Sequence, residues 1–167
     1  RDLSEETQIK LQDEWNVSEF DFLYTFYYTG YNFRSTDLQA YIGLDQIDKL
    51  DRWGRIRARN FETYQRLIKN DYWKPDVDLN DFISNFAYPV IHPDRDLIVK
   101  ELRDNDVEVR PMICGSMGTQ PFYAKKYGKL YLENVTEVDT FGFYVPNHPK
   151  LTEEDIKFVS NIVNRII

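Results

Sequence analysis

The spacing of apolar residues predicts a short helix at the start of the chain, followed by an aromatic segment. Ser4 precedes Glu5 and Glu6, an arrangement typical of a helix N-cap with acidic residues in the first turn. This helix is expected to end near Trp15. Beyond it, four aromatic residues alternate with other residues and favour an extended segment over residues 20–28; they are Phe20, Phe22, Tyr24 and Phe26.

The clearest helical signal begins at Thr36. Thr36 and Gln39 form a T-x-x-Q capping box, in which each side chain accepts a hydrogen bond from the other residue's backbone amide. Apolar residues then recur at helical spacing in two runs, over residues 38–50 and 53–68. Gly54 is expected to break or kink this region, so a pair of long helices is predicted.

Beyond residue 75 the pattern changes to strands and shorter helices. Three segments alternate between apolar and polar residues and are predicted strands: residues 86–91, 107–113 and 141–145. Pro89 places the first strand at a sheet edge or a bulge. Three segments have helical spacing: residues 94–105, 121–127 and 152–166. With loops predicted at residues 74–80 and 129–139, the order indicates an α+β fold with a small, mainly antiparallel sheet flanked by helices.

Composition narrows the classes of function. The 28 acidic and 21 basic residues give a formal net charge of −7, which disfavours nucleic-acid binding. The densest basic stretch, residues 52–59, has acidic neighbours and favours a solvated helix face. The single cysteine, Cys114, excludes an internal disulfide and fits a reducing compartment. No apolar run approaches the roughly 18 residues of a membrane span, so a cytoplasmic protein without membrane contact is expected.

Few residues form a recognisable catalytic pattern. His92 and His148 each precede a proline at the end of a predicted strand, where each either satisfies a turn or contacts a substrate. Neither has the ligand spacing of a metal site. Cys114 has no His or Asn close in sequence and is interpreted as a buried thiol rather than a nucleophile. The turn Gly115–Gly118 either cradles an anion or simply connects two elements.

Two places in the sequence are candidates for binding an anion. Asn32 and Arg34 lie in a polar loop just before the capped helix, whose first amides are free donors for a phosphate. A capped helix that merely follows a polar loop is the alternative. Arg110 lies on the strand face opposite Val109, where it either holds a carboxylate or phosphate or forms an ion pair with Glu108.

Three segments resemble motifs of the DegT-type sugar aminotransferases and follow in the same order. The run from Gly30 to Leu44 reads G-Y-N-F-R-S-T-D-L-Q-A-Y-I-G-L. It is similar to the family's G-Y-N-x-R-x-[ST]-[DE]-[LM]-Q-A-A-[IL]-G. Residues 107–111 resemble an I-E-x-R-P strand, and residues 143–156 resemble a closing L-P-x-H-x-x-L-T-x-x-D-I segment. The resemblance implies the C-terminal small domain of a fold type I pyridoxal-phosphate enzyme at residues 36–167, with residues 1–35 left from the large domain.

The resemblance also implies partners, a cofactor and site residues. It implies a homodimer that acts on a nucleotide-linked keto sugar with pyridoxal phosphate, which cycles through pyridoxamine phosphate. Asn32 and Arg34 would bind the cofactor phosphate of the other subunit. Tyr31, Arg110 and His148 would contact the substrate.

The catalytic residue of that family is expected to lie outside this chain. The Schiff-base lysine, or the histidine that replaces it in the 3-dehydrases, precedes the G-Y-N motif. None of the ten lysines of the chain occupies that position. The resemblance therefore implies a fragment that is inactive alone and that requires a missing N-terminal large domain.

Three functions remain open at the level of sequence. Amino transfer, in the synthesis of lipopolysaccharide or deoxysugars, is the first expectation because it is the commoner activity of the family. The run Arg110–Gly115 resembles the R-P-[IL]-x-x-G of the 3-dehydrase branch, so a pyridoxamine-phosphate-dependent keto-deoxysugar 3-dehydrase is the alternative. From another class, the chain is a non-catalytic protein-interaction domain in which the G-Y-N loop only caps a helix.

Overall fold

The computed structural model describes residues 4–30, 36–78 and 80–167. Within these ranges there are six helices: α1 (Glu5–Trp15), α2 (Asp37–Leu67), α3 (Arg95–Asp104), α4 (Pro121–Tyr127), α5 (Glu133–Phe141) and α6 (Glu153–Val163). The strands of this part of the chain are β1 (Ala87–Ile91), β2 (Arg110–Pro111) and β3 (Gly142–Pro146). They form one antiparallel sheet in the order β1–β3–β2. The predicted α+β fold with a small antiparallel sheet is confirmed.

Helix boundaries follow the capping signals in the sequence. The Ser4 side chain accepts a hydrogen bond from the amide of Thr7, and α1 ends at Asn16 in the left-handed conformation. The capping box at the start of α2 is formed as predicted: the Gln39 amide donates to Thr36 Oγ1 at 3.3 Å, and the Thr36 amide donates to Gln39 Oε1 at 2.9 Å. Thr152 begins α6 in the same way.

The long helical region is one continuous helix of 31 residues, so the prediction of a helix pair is wrong. Gly54 is buried inside this helix. A Cβ at that position would lie 3.5 Å from the ring of Phe82, at ordinary contact distance. A single glycine costs a helix only about 1 kcal/mol, and packing of α2 on α6 maintains the helix through it.

Local hydrogen bonds override the aromatic alternation in the N-terminal segment. Residues 21–24 form a 3-10 helix and not the predicted extended segment. The Asp21 amide donates to Ser18 Oγ at 3.1 Å, and Ser18 Oγ donates to Asp21 Oδ2 at 2.7 Å. A Ser side chain that satisfies the amide three residues later favours a helical turn.

Two further predictions are wrong in the C-terminal half. The predicted strand 107–113 is reduced to Arg110 and Pro111, because Pro111 donates no ladder hydrogen bond and Cys114 adopts a positive φ of 67°. The predicted loop 129–139 contains α5, none of whose residues is buried. A helix without a buried face leaves no apolar period in the sequence, which explains why it was missed.

The core lies between the sheet and the second half of α2. Pro89 lies in β1, an edge strand, as predicted. Tyr64 of α2 stacks on Tyr88 of β1 with ring centroids 5.1 Å apart, and burial raises the pKa of Tyr88 to about 12. The core also contains Phe20, so the segment before residue 35 packs on the remainder of the chain. Other members include Val90, Ile98, Leu102, Phe143, Val145, Ile156, Ile162 and Val163.

Only α2 among the helices of the described ranges has the length required to cross a bilayer, and its charged residues exclude such a span.

Candidate functional site

The five predicted site residues differ in what the structure describes of them. Tyr31, Asn32 and Arg34 lie outside the described residues. Arg110 lies on β2, and His148 lies in the turn between β3 and α6.

Arg110 belongs to a group of four polar residues, termed the Arg110 cluster: Tyr24, Glu108, Arg110 and Tyr144. Arg110 pairs with Tyr144 across the β2–β3 ladder. Its Nε donates to Glu108 Oε1 at 2.8 Å, and its Nη2 forms an ion pair with the same carboxylate. Its Nη1 donates to the Tyr24 hydroxyl at 3.4 Å, which lies 2.9 Å from the Tyr144 hydroxyl. Arg110 therefore forms the expected ion pair with Glu108. It also contacts the Tyr24 hydroxyl, which in turn contacts the Tyr144 hydroxyl.

The electrostatics of the cluster give it one permanent positive charge and two protonated phenols. The hydrogen bonds that Arg110 donates to Tyr24 and Glu108 raise its pKa above the ordinary value. Burial and the hydrogen bond with Tyr24 raise the pKa of Tyr144. The guanidinium is still 43% exposed. At neutral pH the cluster therefore presents N–H and O–H donors with their charge partly balanced by Glu108, a set suited to a carboxylate, phosphate or carbonyl oxygen.

The cluster borders a shallow cavity of about 200 Å³ on the outer face of the sheet. Phe86 forms a T-shaped contact with Tyr144, with ring centroids 5.6 Å apart, and is 60% exposed. An exposed ring beside a charged donor group is typical of a binding surface rather than of a core. Tyr24 and Tyr144 were not predicted. The one available signal was the outward position of Tyr144 between the buried Phe143 and Val145.

Each histidine accepts a hydrogen bond at Nδ1 within a turn, which agrees with the first of the two interpretations. His148 is exposed, and its Nδ1 accepts a hydrogen bond from the Lys150 amide at 3.2 Å. Its carbonyl accepts from Asn60 Nδ2 at 3.3 Å. His92 Nδ1 accepts from the Asp94 amide at 3.1 Å. Among the described residues, His148 and Arg110 share no hydrogen-bond partner.

A larger cleft of about 590 Å³ lies beside Tyr24 and borders the turn Gly115–Gly118, for which anion binding and a plain connection are the two interpretations. The carboxylate of Asp139 lies against this turn, where the backbone of Ser116 acts to lower its pKa. A Cβ at Gly115 would lie 2.1 Å from Asp139 Oδ1, and Gly115 has a φ of +47°, so only glycine fits there. The turn therefore binds an anionic group of this same chain.

Arg95 holds the opposite wall of the cleft. Its guanidinium is almost fully buried, and its Nη1 donates to the Asp139 carbonyl at 3.1 Å and to Asp21 Oδ1 at 3.4 Å. Its Nε donates to Asp96 at 3.1 Å, and the guanidinium lies 5.5 Å from the ring centroid of Phe20. Arg95 thus attaches the N-terminal segment to α3 and to the end of α5.

We expect Asp139→Asn to stabilise the chain at neutral pH. Burial is the main cause that raises the pKa of Asp139, and Asp21 adds to it, while the Ser116 amide and Arg95 oppose it. The folded state therefore favours the protonated carboxyl, and the stability this provides at low pH is lost as pH rises through the raised pKa. Asparagine stays neutral and retains an oxygen for the Ser116 amide. Urea unfolding at several pH values should show an advantage for the variant at pH 7 that narrows on acidification.

Asp155→Asn is the matched control with the opposite sign. Hydrogen bonds from the Thr152 amide and hydroxyl lower the pKa of Asp155, so its contribution is present above its unfolded pKa and is lost as pH falls. This variant should be less stable than the wild type at pH 7, with a difference that also narrows in acid. A stability difference for Asp139→Asn that stays constant with pH would contradict the assignment.

The described residues include no lysine suited to covalent attachment of pyridoxal phosphate. All ten lysines fall within the described ranges; nine are exposed, and Lys49 is partly buried beside Asp45. A lysine that forms a Schiff base normally lies in a desolvated pocket that lowers its pKa. Here hydrogen bonds to Asp104 and Tyr127 raise the pKa values of Lys100 and Lys126. The residues of this chain therefore fit non-covalent contacts to such a cofactor and not its attachment.

The first half of α2 exposes many large apolar side chains. Six of its residues are each more than half exposed: Leu38, Tyr41, Ile42, Leu44, Ile47 and Leu50. At 100° per residue, these positions are distributed around the whole helix. Charged residues such as Asp45, Asp48 and Asp51 lie between them. The first half of α2 therefore presents apolar and charged groups together on its surface.

Curated relatives of this chain act on nucleotide-linked sugars. It is 28% identical over 152 residues to the GDP-perosamine synthase of Caulobacter vibrioides, which covers 86% of this chain and 40% of that protein. It is 25% identical over 161 residues to the GDP-4-keto-6-deoxy-D-mannose 3-dehydratase of Yersinia pseudotuberculosis, covering 90% of this chain and 40% of that protein. The chain thus spans about two fifths of the length of these relatives.

A solved structure with the same fold is the E. coli GDP-4-keto-6-deoxy-D-mannose-3-dehydratase with bound hydrated pyridoxal phosphate. It matches with a TM-score of 0.64 and 23% identity, over 87% of this chain and 40% of that one. This likeness confirms the expected fold.

The family profile described as the DegT/DnrJ/EryC1/StrS aminotransferase family matches residues 7–164. This range contains most of α1, all of α2 to α6, the whole sheet and the Arg110 cluster. The match includes nearly every residue, and the chain belongs to the DegT/DnrJ/EryC1/StrS aminotransferase family.

Proposed function

We propose that this chain is the C-terminal part of a pyridoxal-phosphate-dependent aminotransferase that transfers an amino group to a nucleotide-linked keto sugar in lipopolysaccharide or deoxysugar biosynthesis. The observation that carries the proposal is the family match over residues 7–164. The relative from Caulobacter vibrioides, a GDP-perosamine synthase, supports the same class of substrate. We assign the protein to the cytoplasm.

The proposed role of this chain toward the cofactor is to hold its phosphate. Bound pyridoxal phosphate supplies the electron sink that amino transfer requires. Asn32 and Arg34 come shortly before Thr36 in the sequence, and Thr36 is the N-cap of α2. A helix N-terminus attracts phosphate through its free amides and its dipole. The exposed lysines of this chain support an attachment residue in the missing large region. We propose that the clamp acts on the cofactor of the other subunit.

The Arg110 cluster is the proposed substrate wall. The Arg110 side chain is partly exposed. One side of its guanidinium binds Glu108, and the other side adjoins the partly buried phenols of Tyr24 and Tyr144. A bidentate Arg beside phenolic donors recognises phosphate or carbonyl oxygens of a nucleotide sugar. Tyr31 and the exposed His148 are proposed as the remaining substrate contacts.

The proposed partners are a second subunit and the large domain. The large apolar side chains exposed on several sides of the first half of α2 support cover on more than one side, which a large domain together with a dimer partner would provide. We assign residues 1–35 to the large domain by origin and residues 36–167 to the C-terminal domain. Contacts of Phe20 and Arg95 would then join the two parts.

A second candidate is 3-dehydration of a keto-deoxysugar with pyridoxamine phosphate. The relative from Yersinia pseudotuberculosis and the solved structure from E. coli are both 3-dehydratases. Since a lysine or a histidine upstream of residue 30 distinguishes the two branches, both activities use the same roles for Asn32, Arg34 and Arg110.

The proposal is tested by joining residues 7–164 to the large domain of the Caulobacter vibrioides enzyme in place of the matching segment. We expect Asn32→Ala to weaken pyridoxal-phosphate affinity by about 10–100-fold, because a hydrogen bond to a charged group contributes about 1.5–3 kcal/mol. Equilibrium dialysis measures the affinity, and circular dichroism checks the fold.

Asn134→Ala, at an exposed position on α5, is the matched control and should leave the affinity unchanged. If Asn32→Ala also leaves the affinity unchanged while the chimera binds cofactor, the loop only caps a helix. The non-catalytic interaction domain would then be the better description.

A further inference from the structure

Gln120 has a buried side chain whose polar groups all bind backbone. Only 8% of the residue is exposed. Its Oε1 accepts a hydrogen bond from the Phe26 amide at 2.8 Å. Its Nε2 donates to the carbonyls of Tyr24 at 3.2 Å and Cys114 at 2.8 Å. Both N–H groups and the oxygen are therefore used, which makes the amide a rigid three-way link.

The link joins two segments that are distant in sequence. Residues 24–26 lie at the end of the N-terminal 3-10 helix and just after it, whereas residues 114–120 form the turn between β2 and α4. The Phe122 amide extends the contact by donating to the Phe26 carbonyl at 3.2 Å. Gln120 thus fixes the N-terminal segment to the part of the chain that immediately follows Arg110.

The side chain of Gln120 does not cap α4, although the residue lies at the N-cap position. Gln120 is the N-cap of α4, but its side chain makes no capping hydrogen bond. The amides of Phe122 and Tyr123, which an N-cap side chain would bind, donate instead to the carbonyls of Phe26 and Gln120. The amide group is therefore available for residues 24, 26 and 114.

The held backbone carries a side chain of the Arg110 cluster. Gln120 binds the carbonyl of Tyr24, and the hydroxyl of the same residue lies 2.9 Å from Tyr144 and 3.4 Å from Arg110. Hydrogen bonds weaken steeply beyond about 3.5 Å. A small displacement of the Tyr24 backbone would therefore separate its hydroxyl from the guanidinium.

We propose that Gln120 is the positioning residue of the Arg110 cluster: it clamps residues 24–26 to the turn after β2 and thereby holds the Tyr24 hydroxyl between Arg110 and Tyr144. That Gln120 affects substrate binding rests on the proposed function. That it holds the Tyr24 hydroxyl in place does not. Gln120 acts through Tyr24 and touches no reacting group itself.

The test uses NMR spectra of the whole chain without cofactor or substrate. Gln120→Met keeps the length of the side chain and removes its hydrogen bonds. We expect it to shift the Arg110 Nε–H signal and the Tyr144 ring signals in the same direction as Tyr24→Phe, which removes the hydroxyl itself. Because no ligand is present, failure of the chimera to bind cofactor would leave this result unaffected.

Gln65→Met is the matched control. Gln65 also uses both ends of its amide, since Nε2 donates to the Pro75 carbonyl at 2.7 Å and Oε1 accepts from the Tyr88 hydroxyl at 2.9 Å. Its loss should lower the urea midpoint without moving the Arg110 and Tyr144 signals. The proposal is overturned if Gln120→Met leaves those signals unchanged, or if Gln65→Met moves them equally.

Gln120→Glu is the second test variant, for use if Gln120→Met does not fold. Glutamate retains an acceptor for the Phe26 amide but places a second oxygen against the carbonyls of Tyr24 and Cys114. It should move the same two signals toward those of Tyr24→Phe. Unchanged signals in a folded Gln120→Glu variant would equally overturn the proposal.

Discussion

Phe143→Ala is expected to lower the free energy of unfolding by about 3–5 kcal/mol. Phe143 is fully buried on the central strand β3 and belongs to the core shared by β1, α3 and α6. Truncation removes apolar contacts and leaves a cavity that the neighbouring strands cannot close. Domains are usually stable by only about 5–15 kcal/mol, so the variant should be partly unfolded near its growth temperature. Urea unfolding followed by circular dichroism measures the change.

Phe158→Ala is the matched control on α6. Phe158 is 48% exposed, so its loss should cost less than about 1 kcal/mol. Similar costs for the two variants would mean that β3 does not lie at the centre of the core. The Arg110 cluster would then lose the support that places Tyr144 opposite Arg110.

The second large effect is expected for Arg95→Met, at about 2–4 kcal/mol. Breaking a buried ion pair costs about 3–5 kcal/mol, and the cost is reduced here because the Asp21 side chain is 36% exposed. The variant leaves Asp21 and the Asp139 carbonyl without their shared donor. Urea unfolding measures the loss, and hydrogen exchange of residues 18–25 should rise more than exchange in α6.

Arg103→Met is the matched control for Arg95→Met, because it removes a positive charge near the same ring from an exposed position. The Arg103 guanidinium lies 4.9 Å from the centroid of the same Phe20 ring, but Arg103 is exposed. An exposed cation–π contact contributes about 0.5–1 kcal/mol, so this variant should be only slightly destabilised. Equal costs at the two positions would assign the effect to the Phe20 ring and not to the buried ion pairs.

Local signals predicted local structure. The capping box at Thr36 and the cap at Thr152 depend on residues three apart, and both helices begin where these residues place them. Pro121 and Gly128 similarly defined α4. The helix pair was wrong because Gly54 suggests a break only when its surroundings are ignored. Packing of α2 on α6, visible only in three dimensions, maintains the helix.

The candidate site was predictable only in part, because its contacts join distant segments. Arg110 stood out through its charge on an alternating strand, and Glu108 through its position two residues away. The bond from Tyr24 to Tyr144 connects residues 120 positions apart, and the bond from Gln120 to the Phe26 amide connects residues 94 apart. Nothing in the local sequence around Tyr24 or Gln120 distinguishes them from ordinary core or turn residues.

The exposed apolar residues in the first half of α2 have a consequence for how the protein matures. An isolated segment of about fourteen residues is only marginally helical in water, so the large domain and second subunit proposed above would supply much of its order. Ordering of this segment on association reduces the net affinity, because part of the interaction free energy offsets the conformational entropy that the segment loses. An unassembled copy would expose six large apolar side chains to chaperones and proteases. Its lifetime in a cell would then depend on how quickly it associates with the large domain and the second subunit.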